Sequence, residues 1–289
     1  MTGTFTKKRI DLTITLGTGE FGEDLGDTVT IRGLRAFVDL ANPGGESMGA
    51  AQIRAYGLPE DLMNKLTTIG QINRAIRIKN TVAVAAGDIE GGMNLVFSGV
   101  IVDAWGDYNA APDVPLVIMA QMGLDAAVKP VNATAYKGSV SVQDIMVDLA
   151  AEAGLQLDGE DVEVQLFNPY FAGSTLNKIR SCARAAGIQA VIDRGTLAIW
   201  RTGKSRRADT IPLISPATGM IGYPTLSSKG MTLRCMFNPN ITIGADIEVN
   251  SSIPMAVGTW HVYTVSHNIS TEAPNGPWTT IVEAYRVEQ

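Results

Sequence analysis

From Met220 to Arg286 the chain reads as five short segments: Met220 to Leu226, Gly230 to Pro239, Ile243 to Val249, Trp260 to His267 and Trp278 to Arg286. Each is rich in β-branched or aromatic residues and fenced by Gly, Pro or Asn, the pattern of consecutive antiparallel strands joined by tight turns. Strands this short cannot bury their apolar faces one at a time. The stretch therefore predicts an all-β barrel or sandwich, and the remainder of the chain must be compatible with it.

The N-terminal third also predicts strands. Arg9 to Leu16 alternates strictly, with Ile10, Leu12, Ile14 and Leu16 on one face and Arg9, Asp11, Thr13 and Thr15 on the solvent face. A second alternation starts at Val29 and Ile31, but beyond Gly33 the apolar phase moves to Leu34, Ala36, Val38 and Leu40. A phase shift at a glycine predicts a β-bulge. A short helix is expected over Pro59 to Ile69, with Glu60 and Asp61 complementing its N-terminal dipole, Leu62, Met63, Leu66 and Ile69 forming one stripe, and Gly70 ending it. Strands are expected again at Ala75 to Lys79, Val82 to Ala85, Leu95 to Trp105 and Val114 to Met122.

Between Ala126 and Lys204 the period changes from two to that of a helix. Ser141 opens a segment with a capping-box form (Asp144 at the third position), Val142, Ile145, Met146, Leu149 and Ala153 recur at helical spacing, and Gly154 closes it. A second copy follows 33 residues later: Ser174 matches Ser141, Ile179 matches Met146, Cys182 matches Leu149 and Gly187 matches Gly154. Two copies separated by strands cannot stack as a solenoid, so the region predicts a small α+β insert. It ends in a hairpin, Gln189 to Trp200, turning at Asp193-Arg194-Gly195. The polar, basic Gly203 to Asp209 marks the next boundary, a linker with phosphate contact through Lys204 to Arg207 as the alternative.

The order of the C-terminal phrases is similar to the last barrel of the central hub proteins of contractile phage-tail baseplates. The phrases are Gly222-x-Pro224, Phe237-Asn-Pro239, Gly244-x-x-Ile247-x-Val249, Val265-Ser-His267 and Trp278-x-Thr280-x-Val282-x-Ala284-x-Arg286. Phe97 to Trp105 with Pro115 to Ala120 resembles the first barrel of the same hubs. The resemblance implies a mainly β chain with an α+β insert, in which two tail-tube-like antiparallel β-barrels (1–125, with one short helix, and 206–289) flank a small domain with two similar helix–strand units (126–205). It further implies a homotrimer whose six barrels adapt a sixfold tail tube to a threefold central spike. Its partners would be tail-tube or tube-initiator proteins, the spike protein, the tape-measure protein and the baseplate wedge, in a virion tail assembled in the host cytoplasm. Type VI secretion spikes share this plan, whereas the lysozyme-like domain of larger relatives has no counterpart here. A virion-associated cell-wall hydrolase or carbohydrate-binding module is the alternative from another class.

Composition and charge narrow the chemistry. A chain of 289 residues at 45% hydrophobic can bury more than one core, and no apolar run approaches the roughly 20 residues of a membrane span. The polar start lacks the hydrophobic region of a signal peptide, and the two cysteines, Cys182 and Cys235, are expected as buried thiols. A net charge of −6 argues against a phosphate-gripping surface. Residues 1–125 carry 10 Lys+Arg against 15 Asp+Glu, so the acidic excess sits in the first third. If the ring passes DNA, repulsive walls suit it. Glu20, Glu23, Asp24, Asp27, Glu46, Asp88, Glu90, Asp107 and Asp113 are candidate lumen residues, with DNA in transit and not bound.

No catalytic set, cofactor site or metal site emerges. His261 and His267 lie six apart on one predicted strand face, about 20 Å, too far to share a metal. Asp103 and Asp107 flank Trp105 as a carboxylate pair could in a glycosidase, but carboxylates at a strand end and its turn are ordinary. Gly17 to Gly22 imitates a dinucleotide loop without a helix behind it. Asp144, Asp148 and Glu152 on the first insert helix, and Arg180 and Arg184 on the second, form solvated rows that would set subunit register if the faces met.

Overall fold

A computed structural model describes residues 6–21, 26–67, 80–88, 90–159, 162–206, 210–228 and 230–286. The expected strand at Ala75 to Lys79, and Ile69 and Gly70 at the end of the expected helix, lie outside the described residues. The chain is mainly β and forms two compact units.

The first unit draws on Met1–Leu40, Ala50–Met122 and His267–Trp278. Its strands are β1 (Lys8–Thr15), β2 (Thr28–Ile31), β3 (Ala36–Asn42), β4 (Ala50–Tyr56), β5 (Thr81–Asp88), β6 (Gly92–Gly106) and β7 (Pro115–Gln121). They run in the order β2-β1-β5-β6-β7-β4-β3, and the pairings from β2 to β4 are antiparallel. Alternation dictates the buried face: Ile10, Leu12 and Ile14 of β1 and Val82, Val84 and Ala86 of β5 are all at most 2% exposed. Each such aliphatic side chain contributes roughly 1.5–3 kcal/mol on burial. Helix α1 (Glu60–Leu66) covers β6 with Met63 and Leu66. Pro59 serves as its N-cap, one position earlier than expected.

Two expectations are corrected here. Gly33 does not make a bulge. Its backbone turns left-handed (φ +69°), β2 ends at Ile31 paired with β1, and the chain restarts at Ala36 as β3 beside β4. The apolar phase shift therefore records a change of strand. Asp11, expected at the solvent face, is buried because Arg9 folds over it in a bidentate pair at 2.7 and 2.5 Å and Arg32 reaches it at 3.3 Å. Two guanidinium groups supply the charge that makes such burial tolerable.

The second unit draws on Ala41–Gly49, Gly123–Ser266 and Thr279–Gln289. After α2 (Leu124–Val128), two-stranded pairs form between β8 (Thr134–Ala135) and β12 (Tyr170–Phe171) and between β9 (Ser139–Ser141) and β11 (Gln165–Phe167). The two similar helices appear as α3 (Val142–Glu152) and α4 (Thr175–Ala186). Ser141 and Ser174 cap them, accepting from Gln143 N and Asn177 N, and both Gly154 (φ +70°) and Gly187 (φ +65°) leave in the left-handed conformation. Each copy feeds a strand, β10 (Gln156–Asp158) or β13 (Ile188–Asp193), and both strands pair with β14 (Thr196–Arg201). The β13–β14 hairpin turns on Arg194 (φ +49°) and Gly195 (φ +83°), the two positive angles a two-residue turn of this hand requires.

That hairpin is apolar on both faces. Leu197 and Ile199 join Val142, Ile145, Leu149, Ile179 and Cys182 in the helix-side core. Ala198 and Trp200 point the other way, into a core with Ile243, Ile247, Trp260, Val262 and Val282. The second core belongs to the C-terminal strands β15 (Leu213–Ile214), β16 (Met220–Ser227), β17 (Gly230–Met236), β18 (Asp246–Val249), β19 (Gly258–Thr271) and β20 (Trp278–Tyr285), ordered β16-β17-β20-β19 with β18 pairing both β19 and β15. Between β16 and β17 the register jumps: Ile221 faces Arg234 and Thr225 faces Thr232, so Gly222, Tyr223 and Pro224 bulge opposite Leu233 alone. Both cysteines sit in these cores, Cys182 in the first and Cys235 in the second. Burial pushes their thiols up to about 12 and about 11. Ellman's reagent should thus titrate no thiol in the folded protein and two in denaturant. A fast-reacting cysteine in the native state would contradict this packing.

Candidate functional site

The second unit carries a cavity of about 550 Å³. Its walls include His261 and Tyr263 on β19, Glu283 and Tyr285 on β20, Gly230 to Thr232 on β17, Trp200 with Gln189 and Val191 on the β13–β14 hairpin, and the Gly44–Gly45 turn. Strand periodicity puts His261 with Tyr263, and Glu283 with Tyr285, on common faces. The adjacency of β19 and β20 then gathers the four.

His261 is nearly sealed at 5% exposure, its Nδ1 lies 3.0 Å from Asp246 Oδ1, and the two residues stand directly opposite in the β18–β19 ladder. Tyr285 meets His261 edge-on at 5.1 Å between centroids and Tyr263 at 6.5 Å. Burial, with the charge of Asp246 and then Tyr263, raises the Tyr285 phenol above its usual range. Gly44 presses against Tyr263 so closely that a Cβ there would stand 2.4 Å from the Tyr263 carbonyl oxygen. Among the described residues no lysine or arginine lines the cavity. Glu283 forms no ion pair among the described residues. The described lining thus combines one carboxylate, Glu283, with the rings of Tyr263, Tyr285 and Trp200 and the hydroxyls of Ser227 and Thr232.

The residues singled out from the sequence are scattered. Glu23 and Asp24 lie outside the described residues. Glu20, Asp27 and Glu90 are exposed in turns of the first unit. Asp88 holds the β5–β6 turn by accepting from the backbone N–H groups of Gly91 and Glu90, which lowers its pKa although desolvation opposes. Asp107 caps a short 3₁₀ turn through Asn109 N, and Asp113 pairs with Arg35 at 3.0 Å. Glu46 belongs to the second unit, where its carbonyl accepts from Arg180. Asp103 accepts from its neighbour Ala104 N at 3.1 Å.

On the insert helices, Asp148 accepts from the Tyr136 hydroxyl at 2.7 Å. Glu152 accepts from Lys178 Nζ at 3.0 Å through both oxygens and from Thr175 at 2.6 Å. Lys178 is fully buried, so this row of carboxylates is not uniformly solvated. Asp144 and Arg184 are exposed and without an ion pair among the described residues. In the basic linker, Arg206 turns inward to Asp158 at 2.5 Å and Asp193 at 3.0 Å, which explains that residue's conversion from a possible phosphate contact into an internal tie. His267 is buried in the first unit. Among the described residues no three His, Cys, Asp or Glu side chains group as metal ligands would, and no helix is long and apolar enough to cross a membrane.

The pocket was missed in the sequence because its residues come from segments whose pairing only the fold reveals. The one local signal, alternate aromatic and charged residues in Trp260 to Tyr263 and Glu283 to Tyr285, is also what any strand would show.

Comparison with known proteins points one way. The family model described as "Baseplate hub gp41" matches residues 13–281. Among solved structures, the 43 kDa tail protein of prophage MuSo2 from Shewanella oneidensis shares the fold with a TM-score of 0.61 at 9% identity, covering 96% of each chain. A tail protein from Neisseria meningitidis MC58 gives 0.62 at 9% identity over 96% of each chain. The E. coli c3393 protein, a component of the type VI secretion system, gives 0.56 at 10% identity over 88% of this chain and 74% of its own. A search of curated proteins by sequence finds no match.

Proposed function

Because the chain belongs to the baseplate hub gp41 family, we propose that it is the structural hub of a contractile phage-tail baseplate, a trimeric ring adapting the sixfold tail tube to the threefold central spike. Its tail baseplate role follows from the family. The observation that carries the reading is the family match over residues 13–281. The fold shared with tail proteins at high mutual coverage supports it.

In this reading the segments 1–125 and 206–289 each act as a tube-like barrel, 126–205 is the insert between them, and three chains contribute six barrels. Tail-tube or tube-initiator proteins would stack on one side and the spike on the other, with the tape-measure protein and baseplate wedge nearby. The hub works without catalysis. Asp144 and Arg184, which form no ion pair among the described residues, are the best placed of the row residues to set register between subunits, each exposed pair contributing about 0.2–1 kcal/mol. Of the acidic candidates, Glu20, Asp27 and Glu90 are exposed carboxylates and the foremost lumen residues, repelling a passing polyanion.

Light scattering on the protein alone and with its spike is the test. The expected mass is that of three 30.7 kDa chains. A monodisperse monomer at tens of micromolar in both samples would refute the ring. The assembled ring should also bind duplex DNA no tighter than micromolar at low salt, because few phosphates can be neutralised by an acidic wall. Submicromolar binding would remove the lumen assignment.

A further inference from the structure

The turn that joins β19 to β20 is a tight one, and its geometry leaves few choices of residue. Gly276 N donates to Ala273 O at 3.1 Å across it, Pro274 holds the second position and Asn275 the third with φ +54°, the arrangement of a type II turn. A positive angle at that third position favours glycine or asparagine over other residues. The next position calls for glycine on different grounds: a Cβ on Gly276 would stand 2.0 Å from Ser270 Oγ, which is buried and donates to Pro277 O at 3.1 Å. The turn thus holds Asn-Gly at 275–276, a dipeptide that occurs nowhere else in the chain, with Asn275 exposed to water. We propose that Asn275 is a modification site, which deamidates through a cyclic imide when this turn opens and stays intact while it is closed.

In this reaction the Gly276 backbone nitrogen gives its proton to a solvent base and bonds to Asn275 Cγ, while the side-chain nitrogen takes a proton from water and leaves as ammonia. Water then opens the ring at either carbonyl, yielding aspartate or isoaspartate. Glycine favours the step because no side chain shields the attacking nitrogen. The closed turn opposes it twice. The proton on that nitrogen is engaged with Ala273 O, and type II geometry sets ψ of Asn275 near about 0°, which turns the nitrogen away from the Asn275 side chain. Reaction therefore waits on local opening, which is less costly at an exposed turn than in core strands. Isoaspartate carries the main chain through an additional methylene and so puts the bond to Ala273 out of register. Either product adds a negative charge to a turn that begins at Glu272, itself paired with Lys7 at 2.6 Å. The site follows from the turn alone and does not depend on the hub reading.

The experiment incubates the full chain at mildly alkaline pH, folded in buffer and unfolded in guanidinium chloride. Digestion after glutamate releases the peptide Ala273 to Glu283 for mass spectrometry, and an isoaspartyl methyltransferase titrates the isoaspartate. The unfolded chain should convert Asn275 to a mixture of aspartate and isoaspartate, and the folded chain should do so at least about tenfold more slowly. Pro274→Ala, which loosens the turn, should speed the folded reaction about threefold and leave the rate in guanidinium unchanged. Asn275→Gly, which accepts the same positive angle, should abolish the isoaspartate. Equal rates in the folded and unfolded chains overturn the gating. Acid formed without isoaspartate overturns the imide route, and no conversion of Asn275 in guanidinium overturns the site. The comparison of the folded and unfolded unaltered protein decides the matter even if a variant fails to fold.

Discussion

Glu152→Ala is expected to cost about 3–5 kcal/mol, far more than an exposed glutamate would, because it strands a buried charge. Lys178 Nζ is fully enclosed, and after the substitution its remaining partner is the Thr134 hydroxyl at 2.9 Å. Adding Lys178→Met should recover most of the loss, since an apolar chain of similar length needs no partner in that core. Urea unfolding followed by the helical far-UV signal, which α3 and α4 dominate, reads both effects. A cost below 1 kcal/mol for Glu152→Ala, or no recovery with methionine, would show that the pair is not what holds α3 against α4. A pH effect accompanies it. Desolvation would raise the Glu152 pKa, but hydrogen bonds from Thr175 and Lys178 and the charges of Lys178 and Lys129 outweigh it and hold the folded value low. The stabilisation is therefore complete above the unfolded value of about 4.3 and lost as pH falls through the lower folded value. Glu152→Ala should flatten that part of the acid profile.

The second large effect is predicted at Gly244. Its backbone is left-handed (φ +80°), and a Cβ there would fall 2.5–2.8 Å from three atoms of the Trp200 ring. The main chain cannot retreat easily, since Gly244 donates to Val262 and accepts from the Arg206 amide. Gly244→Ala should therefore combine conformational strain with overpacking and cost about 3 kcal/mol. Gly222→Ala separates the two contributions. Gly222 has a similar angle (φ +73°) but nothing within 4 Å of the added carbon, so only about 1 kcal/mol of strain is expected. Equal losses at the two positions in urea midpoints would mean that the Trp200 contact is not tight.

What the sequence made legible was local. The helices α3 and α4 begin at Ser141 and Ser174 because a hydroxyl cap and a helical stripe lie within a few residues of each other. The hairpin at Arg194-Gly195 is written in four consecutive residues. The C-terminal strands follow from alternation bounded by Gly and Pro. What was not legible depends on partners distant in sequence. Nothing near Asp11 announces that Arg32 will cover it, and nothing near Glu152 announces a buried lysine 26 residues on. Asp246 faces His261 only once β18 has settled into register with β19. The glycine at 33 shows the ambiguity well, since a bulge and a turn to a new strand flip the apolar phase identically.

The bulge at Gly222, Tyr223 and Pro224 lies on β16, the outermost strand of its sheet. An outer strand normally exposes a row of free amide and carbonyl groups that can recruit further strands without limit. Here proline deletes one donor and the looped-out residues break the spacing of the rest. Copies of this protein held close together thus lack a straight rail on which to polymerise into fibrils. Restoring it, by replacing Pro224 with valine and deleting two bulge residues, should make the protein more prone to aggregate.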